Sequence, residues 1–584
     1  MKYNMIQIRS FLLLIFTVLL ATACKKANND YSYDYRRNQE ALKASNVRLV
    51  NLSKNNQLIA NGDSLTNFFV PPQRSGYIPP EELTPPGTRY FPTNGQLGLT
   101  WSIPQNLFQQ DGQVNLKTTF ISTITNIVPS HEVEFSLKEN YHQPKDYYLL
   151  INHEGLIQQP TNLLEVPRSI TAPAKPDHFK IRILNLSRKI APTYAMEDLV
   201  SKLSLVYADG TPVSTTTSGI AMNNWSEYVE VPYGTYQFKV LTEDGRQVPG
   251  NGHTYYNYIN RANSTMEMAG PNFSNISSGL TYAPLHTFQP GGVYTIVIHP
   301  ADFTWTTGSD DIRTMQNAVR IISDISEPQN LTYTQVQLAN TMMGQELVLK
   351  VKGQSTAITN YGQASEYKRV IAGKQVLEVK SKTGETLVSK EVELVGGQNY
   401  TFWLYTDQNK QVKTLLAANN LAGTGYIGTG KDGTNGTIDR YQSEFYFNFR
   451  FLNFSSQLPY VTFTNGDGTP YAKSLIYGSG VNVQQGILKT EEPYASVLYS
   501  NSTSTGNYQF MAYSSAPARV PGDWLRQIVP MSSEQLVANK NLYTAVGRKV
   551  PAHEPGVYSI AVIGDPTKDS AAEKAKFMVI KHTK

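Results

Sequence analysis

The chain has 584 residues, which is too long for one hydrophobic core and requires several domains. Hydrophobic residues make up 40% and charged residues 17%, a balance that excludes a disordered chain. The formal net charge of +5 is spread along the sequence, and without a dense patch of Lys and Arg it argues against a nucleic-acid-binding protein. A single cysteine excludes intramolecular disulfides, so packing alone must hold the domains together.

The N-terminal segment predicts export. A basic start, a short apolar run and a few small residues lead to Cys24, an order typical of a signal peptide. The cysteine at this position resembles the lipobox of bacterial lipoproteins, which implies that Cys24 is lipidated and that Lys25 after it directs the protein to the outer membrane. We predict a signal peptide over 1–23 and a polar tether over 24–44, with the membrane face left open. The alternative is a secreted protein without a lipid.

One strand-and-turn pattern recurs along the chain. It reads VRLVNLS at 47–53, IRILNLS at 181–187, VRIISDI at 319–325 and FRFLNFS at 449–455. Its arginines are Arg48, Arg182, Arg320 and Arg450, with spacings of 134 (182−48), 138 (320−182) and 130 (450−320) residues. We interpret this as one period that tiles the chain four times, each unit having the size of a domain.

Further segments repeat inside the units. SEYVEVPYGTYQFKVLTEDG at 226–245 aligns with SEYKRVIAGKQVLEVKSKTG at 365–384, which matches Tyr228 with Tyr367 and Gly234 with Gly373. We predict that both tyrosines are structural and that both glycines sit where the backbone needs a positive φ. A closing strand is predicted at the segments QPKDYYLLI (143–151), PGGVYTIVI (290–298), VGGQNYTFWL (395–404) and EPGVYSIAV (554–562).

Alternating apolar residues between Gly, Pro and Asn turns predict an all-β chain, a tandem array of four β-sandwich domains that are immunoglobulin-like or similar. The predicted bounds are unit one at 45–174 with a Pro-rich loop at 71–92, unit two at 175–312, unit three at 313–420, a Gly-rich linker at 421–440 and unit four at 441–584.

These motifs together resemble the bacterial domain-of-unknown-function family numbered 4397. The shared pattern is V-R-x-x-N, then S-x-Y, then a glycine, then G-G-x-x-Y-T, best matched over 317–405 and 179–299. The resemblance covers about half of the chain and implies a β-sandwich in an exported envelope protein. It carries no catalytic residues.

Motifs for catalysis or cofactors are weak. The linker contains GTGYIG at 423–428 and GYIGTGKD at 425–432, but the DGTNGT that follows cannot begin the helix that a phosphate-binding loop needs, so we predict no nucleotide. The histidines are scattered without metal-ligand spacing, and no G-x-S-x-G elbow is present. We predict no cofactor, no metal site and no catalytic residue.

Two sets of residues remain as site candidates. We predict that the four repeated arginines, Arg48, Arg182, Arg320 and Arg450, are structural. A half-buried arginine needs a partner, so we hypothesise that Arg182 and Arg320 pair with Glu227 and Glu366 of their own units. Trp305 and Trp524 lie in polar, Gly-containing segments and are candidate ligand-binding platforms, since aromatic faces stack on sugar rings.

The sequence therefore predicts a non-catalytic, lipid-anchored envelope protein that serves as a binding or spacing module. Its expected partners are the membrane, through Cys24, and glycans or envelope proteins. One alternative is a carbohydrate-binding accessory lipoprotein of an outer-membrane uptake system, which predicts exposed aromatic residues in a row. Another is a hydrolase, which predicts carboxylates converging in a cleft.

Overall fold

The computed structural model describes residues 42–68, 86–121, 130–139, 141–151, 162–191, 198–250, 257–260, 265–269, 275–280, 283, 285–307, 310–326, 328–419, 447–471, 480–488, 495–496, 509–548, 550–551 and 553–584. The predicted signal peptide with Cys24, the tether up to residue 41, residues 71–85 of the Pro-rich loop and the Gly-rich linker lie outside these residues. The described chain is an array of β-sandwich domains, which confirms the predicted all-β class. No helix in the described ranges is long and apolar enough to cross a membrane.

The first unit is a sandwich of two four-stranded sheets. Its strands are β1 (Ala44–Asn51), β2 (Gln57–Ala60), β3 (Asp63–Ser64), β4 (Thr100–Pro104), β5 (Gln113–Phe120), β6 (Ser130–Lys138), β7 (Lys145–Leu149) and β8 (Leu163–Pro167), with a 3₁₀ turn at Gln105–Leu107. The sheet orders are β4-β1-β7-β8 and β3-β2-β5-β6. Val47 and Leu49 of β1 pack between the sheets against Leu58 and Val114.

The second unit has the same central sheet with more strands around it. Its strands are β9 (His178–Asn185), β10 (Leu203–Val206), β11 (Asn224–Trp225), β12 (Val229–Pro232), β13 (Gly234–Tyr236), β14 (Lys239–Thr242), β15 (Asn257–Asn260), β16 (Thr265–Ala269), β17 (Asn275–Leu280), β18 (His286–Phe288), β19 (Val293–Thr307) and β20 (Asp310–Ser323), with a 3₁₀ turn at Thr215–Thr217. The sheets are β11-β9-β19-β20 with β12 also on β9, β10-β14, β13-β18 and β15-β16-β17. Stacked rings of Phe179 and Phe288, 4.6 Å apart, mark its core.

The third unit again has two sheets. Its strands are β21 (Tyr333–Asn340), β22 (Leu347–Val351), β23 (Gln354–Ser355), β24 (Gln363–Ala364), β25 (Lys368–Ile371), β26 (Gly373–Ser381), β27 (Thr386–Leu394), β28 (Asn399–Thr406) and β29 (Val412–Ala418). The sheet orders are β24-β21-β28-β29, with β25 also on β21, and β23-β22-β26-β27.

The fourth unit repeats this arrangement. Its strands are β30 (Phe447–Ser455), β31 (Tyr460–Asn465), β32 (Val483–Gln484), β33 (Ala495–Ser496), β34 (Gln509–Ala516), β35 (Arg519–Trp524), β36 (Met531–Ser532), β37 (Gly556–Gly564) and β38 (Lys576–Lys581), with a 3₁₀ turn at Ser533–Leu536 and the short helix α1 (Asn541–Thr544). The sheet orders are β33-β30-β37-β38 and β32-β31-β34-β35, with β36 also on β34.

All four units share one topological feature: the opening strand lies parallel to the next-to-last strand. The parallel pairs are β1 with β7, β9 with β19, β21 with β28 and β30 with β37. A last strand then adds antiparallel, namely β8, β20, β29 or β38. The predicted closing segments are therefore confirmed as strands, and their continuous apolar runs fit strands that are buried on both faces.

The prediction that Arg320 lies on the opening strand of unit three is wrong. Arg320 lies on β20, opposite Val297 of β19, in the sheet of unit two. The opening strand of unit three is β21, and Gln337 takes the place of the repeated arginine. VRIISDI resembles the opening segments because the last strand of a central sheet carries a similar apolar run.

The predicted period and one boundary change with this correction. The equivalent residues of the four units are 134 (182−48), 155 (337−182) and 113 (450−337) positions apart, so the spacing is uneven. The predicted boundary between residues 312 and 313 falls inside β20 and is wrong, because that strand completes the sheet of unit two.

Asparagine is the residue that all four opening strands share. Asn51, Asn185, Asn340 and Asn453 each donate from Nδ2 to a backbone carbonyl of the following loop, at Asn55, Ser201, Gln345 and Leu458. Each Oδ1 accepts the backbone N–H two residues later. The side chain thus builds the predicted turn after the strand.

Two glycines mark the point where the chain passes from one sheet to another. Gly234 begins β13, on β18, just after β12, on β9, and Gly373 begins β26 just after β25, on β21. Their φ angles are 154° and 102°, which confirms the predicted need for a residue without Cβ.

The units pack back to back in two pairs. Units one and two share an apolar cluster in which Val50 of β1 and Leu52 just after it meet Leu184 of β9 and Leu186 just after it. Units three and four share an equivalent cluster, in which the rings of Trp403 and Phe454 stack 4.7 Å apart. One face of each opening strand therefore packs in the core of its own sandwich, and the other face packs in the junction between the two units of a pair.

A buried ion pair joins unit two to unit four, across the two pairs. Lys239 Nζ on β14 lies 2.6 Å from Glu554 Oε1, and both side chains are 0% exposed. Tyr543 donates from its hydroxyl to the same carboxylate at 2.8 Å. Burial alone would raise the pKa of Glu554, but Lys239 and Lys581 together lower it to about 2.

Backbone hydrogen bonds add to this contact. Lys584 donates its N–H to the carbonyl of Thr235 and accepts from the N–H of Gln237. The end of the chain thereby extends the strand pairing of unit two, and unit four is fixed to unit two by both backbone and charge.

Candidate functional site

A buried polar cluster centred on Arg48 lies between units one and two. Arg48 donates from Nε and Nη2 to the two oxygens of Asp146 at 2.9 and 2.6 Å, within its own unit. It reaches unit two through Asp324 Oδ1 at 2.9 Å and the carbonyl oxygen of Ser323 at 2.5 Å. Arg168 adds a second cation, with Nε 2.8 Å from Asp146 Oδ1. The repeated arginine therefore links two units.

Arg182 makes the reciprocal contact from unit two to unit one. It donates from Nε to Thr295 Oγ1 at 2.9 Å and from Nη1 to the carbonyl of Pro167 at 2.8 Å. Its guanidinium lies 4.5 Å from the ring centroid of Tyr228, and that tyrosine donates to Asp324 Oδ2 at 2.9 Å. Both repeated residues thus stabilise the junction.

The hypothesis that the arginines pair with Glu227 and Glu366 is wrong. Side chains alternate along the chain, so Tyr228 and Tyr367 turn inward while the preceding glutamates are exposed. Glu366 instead lies 2.7 Å from Lys368 Nζ.

Units three and four have a neutral version of this cluster. Gln337 donates to Thr401 Oγ1 at 2.9 Å, and its Nε2 lies 3.3 Å from His582 Nδ1. Tyr367 Oη lies 3.0 Å from the same nitrogen. Burial and the nearby Arg450 lower the pKa of His582 well below its usual value, so the imidazole is neutral at pH 7.

Arg450 supplies the reciprocal contact in this second pair. It donates from Nε to Ser559 Oγ at 2.8 Å, from Nη1 to the carbonyl of Ala418 at 2.6 Å and from Nη2 to Asn419 Oδ1 at 2.5 Å. These acceptors are all neutral oxygens, in contrast to the carboxylates around Arg48.

Asp146 and Asp324 are two carboxylates that converge, as a hydrolase would require, but their setting is structural. Both side chains are 0% exposed, and both bind Arg48. A glycosidase needs its carboxylates on either side of a substrate in an open cleft. These two lie sealed within a junction between domains, where they compensate buried arginines.

A cavity of about 220 Å³ opens farther along the same junction. Lys54, Asn55 and Leu99 of unit one line it together with His299 and Arg320 of unit two. Lys54 is exposed and Arg320 is half-buried.

His299 is a neutral part of the cavity wall. Its Nδ1 lies 2.8 Å from the carbonyl oxygen of Pro300, which only accepts, so Nδ1 carries the proton. Burial, with the charges of Arg320 and Lys54, lowers the pKa of His299 to about 3. Nε2 is therefore an acceptor, and both it and Asn55 Oδ1 are buried without a hydrogen-bond partner in the part of the chain that the structure describes.

The other units carry apolar residues at the positions of His299 and Arg320, as the strand registers show. The equivalents of His299 are Leu150, Tyr405 and Ile563. The equivalents of Arg320 are Leu164, Leu415 and Met578. All six belong to or pack against the apolar clusters of the two junctions. The polar residues at these two positions are therefore particular to unit two.

The two predicted tryptophan platforms differ in what the structure shows. Trp524 on β35 is 42% exposed, and the guanidinium of Arg526 lies 5.6 Å from its ring centroid. Trp305 lies on β19, but its side chain is outside the described part of the molecule. Trp101 and Trp403 are buried in apolar clusters.

Sequence reasoning missed several members of the clusters. Asp324, Asn419 and His582 each directly follow the last strand of a unit, at equivalent places. The sequence feature that could have identified these three residues is a polar residue directly after the last apolar run of a unit. Lys54, Asn55 and His299 were also missed, because the cavity forms only when two units meet.

We expect the chain to lose stability as the pH falls from 7 to 5. Burial lowers the pKa of His299 to about 3 and that of His553 to about 4, whereas unfolded histidines titrate near ~6.5. A group with a lower pKa in the folded state contributes stability above its unfolded pKa and loses it as the pH falls through the folded pKa. Each histidine lowers the free energy of unfolding by ~1.4 kcal/mol for every pH unit below its unfolded pKa, so at pH 5 the two together lower it by about 4 kcal/mol.

Calorimetry at pH 7, 6 and 5 checks this expectation. Asp324 opposes the trend, because burial raises its pKa and its contribution grows as the pH falls. The exposed His142, replaced by Gln, should leave the slope of Tm against pH unchanged, while His553→Gln should flatten it. A Tm that is constant between pH 7 and 5 would contradict the prediction.

No protein-family model and no curated protein matches this chain. Similar solved structures include a product complex of SpuA, a multi-modular glycogen-degrading pneumococcal virulence factor, at 8% identity with a TM-score of 0.11. That match covers 60% of this chain and 38% of the other, so this chain spans well under half of SpuA. Another is a proposed cell adhesion protein from Bacteroides fragilis NCTC 9343, at 11% identity and a TM-score of 0.11, covering 66% of this chain and 99% of that one. Likeness this distant carries no argument about function, and the resemblance to family 4397 stays a prediction.

Proposed function

We propose that this chain is a non-catalytic, lipid-anchored protein of the cell envelope and that it serves as a rigid binding or spacing module. The observation that carries the proposal is the back-to-back packing of the domains. Buried clusters around Arg48 and Arg450 join the units in pairs, and the Lys239–Glu554 ion pair joins unit two to unit four. Domains fixed in this way hold a binding surface at a set distance from an anchor.

The position of Cys24 supports the anchor, and metabolic labelling with an alkyne fatty acid tests it. The wild-type chain is expected to be labelled and to sediment with outer membranes. Cys24→Ala is expected to be unlabelled and released, with an unchanged Tm because the residue precedes the domains. Labelling of the Cys24→Ala variant at the wild-type level would contradict the proposal.

Protease treatment of intact cells then decides the membrane face. The turn at 382–385 between β26 and β27 is exposed and accepts an epitope tag, whereas residues 582–584 are engaged with the rest of the array. Loss of the tag while a periplasmic control survives places the domains outside the cell. Protection of the tag until the outer membrane is broken places them in the periplasm.

A carbohydrate-binding role in an outer-membrane uptake system is the second candidate, and exposed Trp524 supports it. Trp524→Ala should abolish binding on a glycan array if that ring is the platform. Val529→Ala, which changes a neighbouring exposed apolar residue, is the matched control. Equal glycan binding by Trp524→Ala and wild type would remove this candidate.

A further inference from the structure

An asparagine that is followed by a glycine can react with its own backbone, and the chain contains several such pairs. They begin at residues 61, 94, 251, 435 and 465, and the structure describes Asn61, Asn94 and Asn465 with their glycines. The backbone nitrogen of the glycine can attack Cγ of the asparagine, because glycine has no Cβ to obstruct the approach. The reaction requires that the asparagine side chain can turn and that the glycine N–H is not held in a hydrogen bond.

Hydrogen bonds hold the side chain of Asn61, in the turn between β2 and β3. Asn61 donates from Nδ2 to the carbonyl of Leu107 at 2.7 Å, and its Oδ1 accepts the N–H of Asn115 at 3.0 Å. A side chain that is fixed at both its nitrogen and its oxygen cannot turn its Cγ toward the next residue. We therefore expect this pair to be protected in the folded chain.

Hydrogen bonds also hold the second pair, in this case at both residues. Asn94 Oδ1 accepts the N–H of Gln96 at 3.2 Å. The N–H of Gly95 donates to the carbonyl of Phe91 at 2.9 Å, so the attacking nitrogen is engaged. This pair fails both requirements of the reaction.

The third pair lies in the turn that follows β31 and is held through the backbone of its asparagine alone. Asn465 donates its N–H to the carbonyl of Thr469, and its carbonyl accepts the N–H of Gly468, both at 2.9 Å. Its half-buried side chain makes no hydrogen bond with any residue that the structure describes. Gly466 is exposed, and its N–H has no acceptor within the described ranges. Among the three described pairs, this one alone meets both requirements.

The aspartate in the same turn is held, although a glycine follows it too. Asp467 Oδ1 accepts the N–H of Thr469 at 2.9 Å. The N–H of Gly468 is engaged with the carbonyl of Asn465. The reactive position in this turn is therefore the asparagine and not the aspartate.

From these contacts we infer that Asn465 is a site of spontaneous deamidation. The nitrogen of Gly466 forms a bond with Cγ of Asn465, the bond between Cγ and Nδ2 breaks, and ammonia leaves with the proton of the glycine nitrogen. Water, which reaches this exposed turn, then opens the cyclic imide to aspartate or isoaspartate. Either product places a second carboxylate beside Asp467, and isoaspartate also lengthens the backbone of the turn. The inference does not rest on the proposed function.

Peptide mapping of the aged full chain tests this inference. The wild-type chain is kept in detergent at mildly alkaline pH and digested with trypsin, and fragment ions in mass spectrometry locate each conversion of amide to acid. Asn465 should deamidate at least ten-fold faster than Asn61 and Asn94. In denaturant the three should react at similar rates, because the fold no longer protects two of them.

Two results of this mapping would overturn the inference. One is a rate at Asn465 in the folded chain within two-fold of the rate at Asn61 or Asn94. The other is a preference for Asn465 that persists in denaturant, since the hydrogen bonds of the fold would then not be its cause.

The variant Gly466→Ala gives a second test. An added Cβ would lie 3.5 Å from Cβ of Gln509, which is an ordinary contact, so the variant is expected to fold. Its methyl group obstructs the attack, and deamidation of Asn465 should be at least ten-fold slower. Gly98→Ala is the matched control, because a Cβ there meets nothing within 4 Å, and it should leave the rate at Asn465 unchanged. A Gly466→Ala chain that deamidates at Asn465 as fast as the wild type would contradict the mechanism.

Discussion

Replacing Arg48 by methionine should lower the free energy of unfolding of the first pair of units by about 3–5 kcal/mol. Methionine keeps much of the side-chain volume but removes the charge that Asp146 and Asp324 share. Both carboxylates are 0% exposed, so neither can be solvated in place of the lost ion pair. Denaturant unfolding followed by tryptophan fluorescence measures the effect, because Trp101 and Trp225 lie in this pair.

Two variants make this result specific. Arg519→Met removes an exposed arginine that also binds a carboxylate, and exposed pairs contribute only about 0–1 kcal/mol. Arg450→Met removes the equivalent buried arginine of unit four, whose acceptors Ser559, Ala418 and Asn419 are neutral. We expect the order Arg48→Met, Arg450→Met, Arg519→Met, from largest to smallest loss. An Arg48→Met loss no greater than that of Arg519→Met would show that the cluster does not stabilise the junction.

Replacing Glu554 by glutamine should cost a similar amount, about 3–5 kcal/mol, and should separate unit four from unit two. The substitution preserves the shape of the side chain but leaves the ammonium group of Lys239 buried without its carboxylate. Lys581, 3.4 Å from Glu554, loses the same partner. Thermal unfolding measures the loss, and small-angle X-ray scattering measures the increase in radius of gyration.

A double substitution separates the ion pair from the packing around it. Replacing Lys239 and Glu554 together by methionine removes both buried charges, and such apolar replacements are often neutral or stabilising. The double variant should therefore be more stable than Glu554→Gln, and a cycle with the single variants Lys239→Met and Glu554→Met gives the coupling between the two residues. Scattering from Glu554→Gln that matches the wild type, with an equal Tm, would show that other contacts hold the units together.

Much of the fold follows from short-range patterns in the sequence. Side chains alternate along a strand, which predicts that Val47 and Leu49 share one face of the opening segment and Arg48 and Val50 the other. In the structure these faces are the core and the junction. The need for positive φ at Gly373 also followed from a local pattern, since it separates two apolar runs. Strand alternation and turn formation depend on residues that are neighbours in the sequence, so a single sequence is enough to predict them.

The wrong predictions concern features that depend on which distant segments of the chain contact each other. Arg320 belongs to a last strand because β20 pairs with β19, and pairing partners are not written into a seven-residue segment. The opening strand with Gln337 does not match a pattern defined by its arginine, because the residue that all four opening strands share is the asparagine, here Asn340. The cavity with His299 could not be predicted, because its two walls come from different units.

The parallel pairing of each opening strand with the next-to-last strand sets the order in which the chain can fold. Arg48 finds its neighbour Asp146 only 98 residues later (146−48), so β1 cannot complete its sheet until almost the whole unit has been made. Such long-range contacts slow folding, because the chain loses the entropy of closing a long loop before the stabilising contacts form. A chain made N-terminus first therefore presents open strand edges for longer than a chain built from hairpins, and edges of that kind attract other strands. The topology predicts slow refolding and aggregation of the refolding chain at high protein concentration.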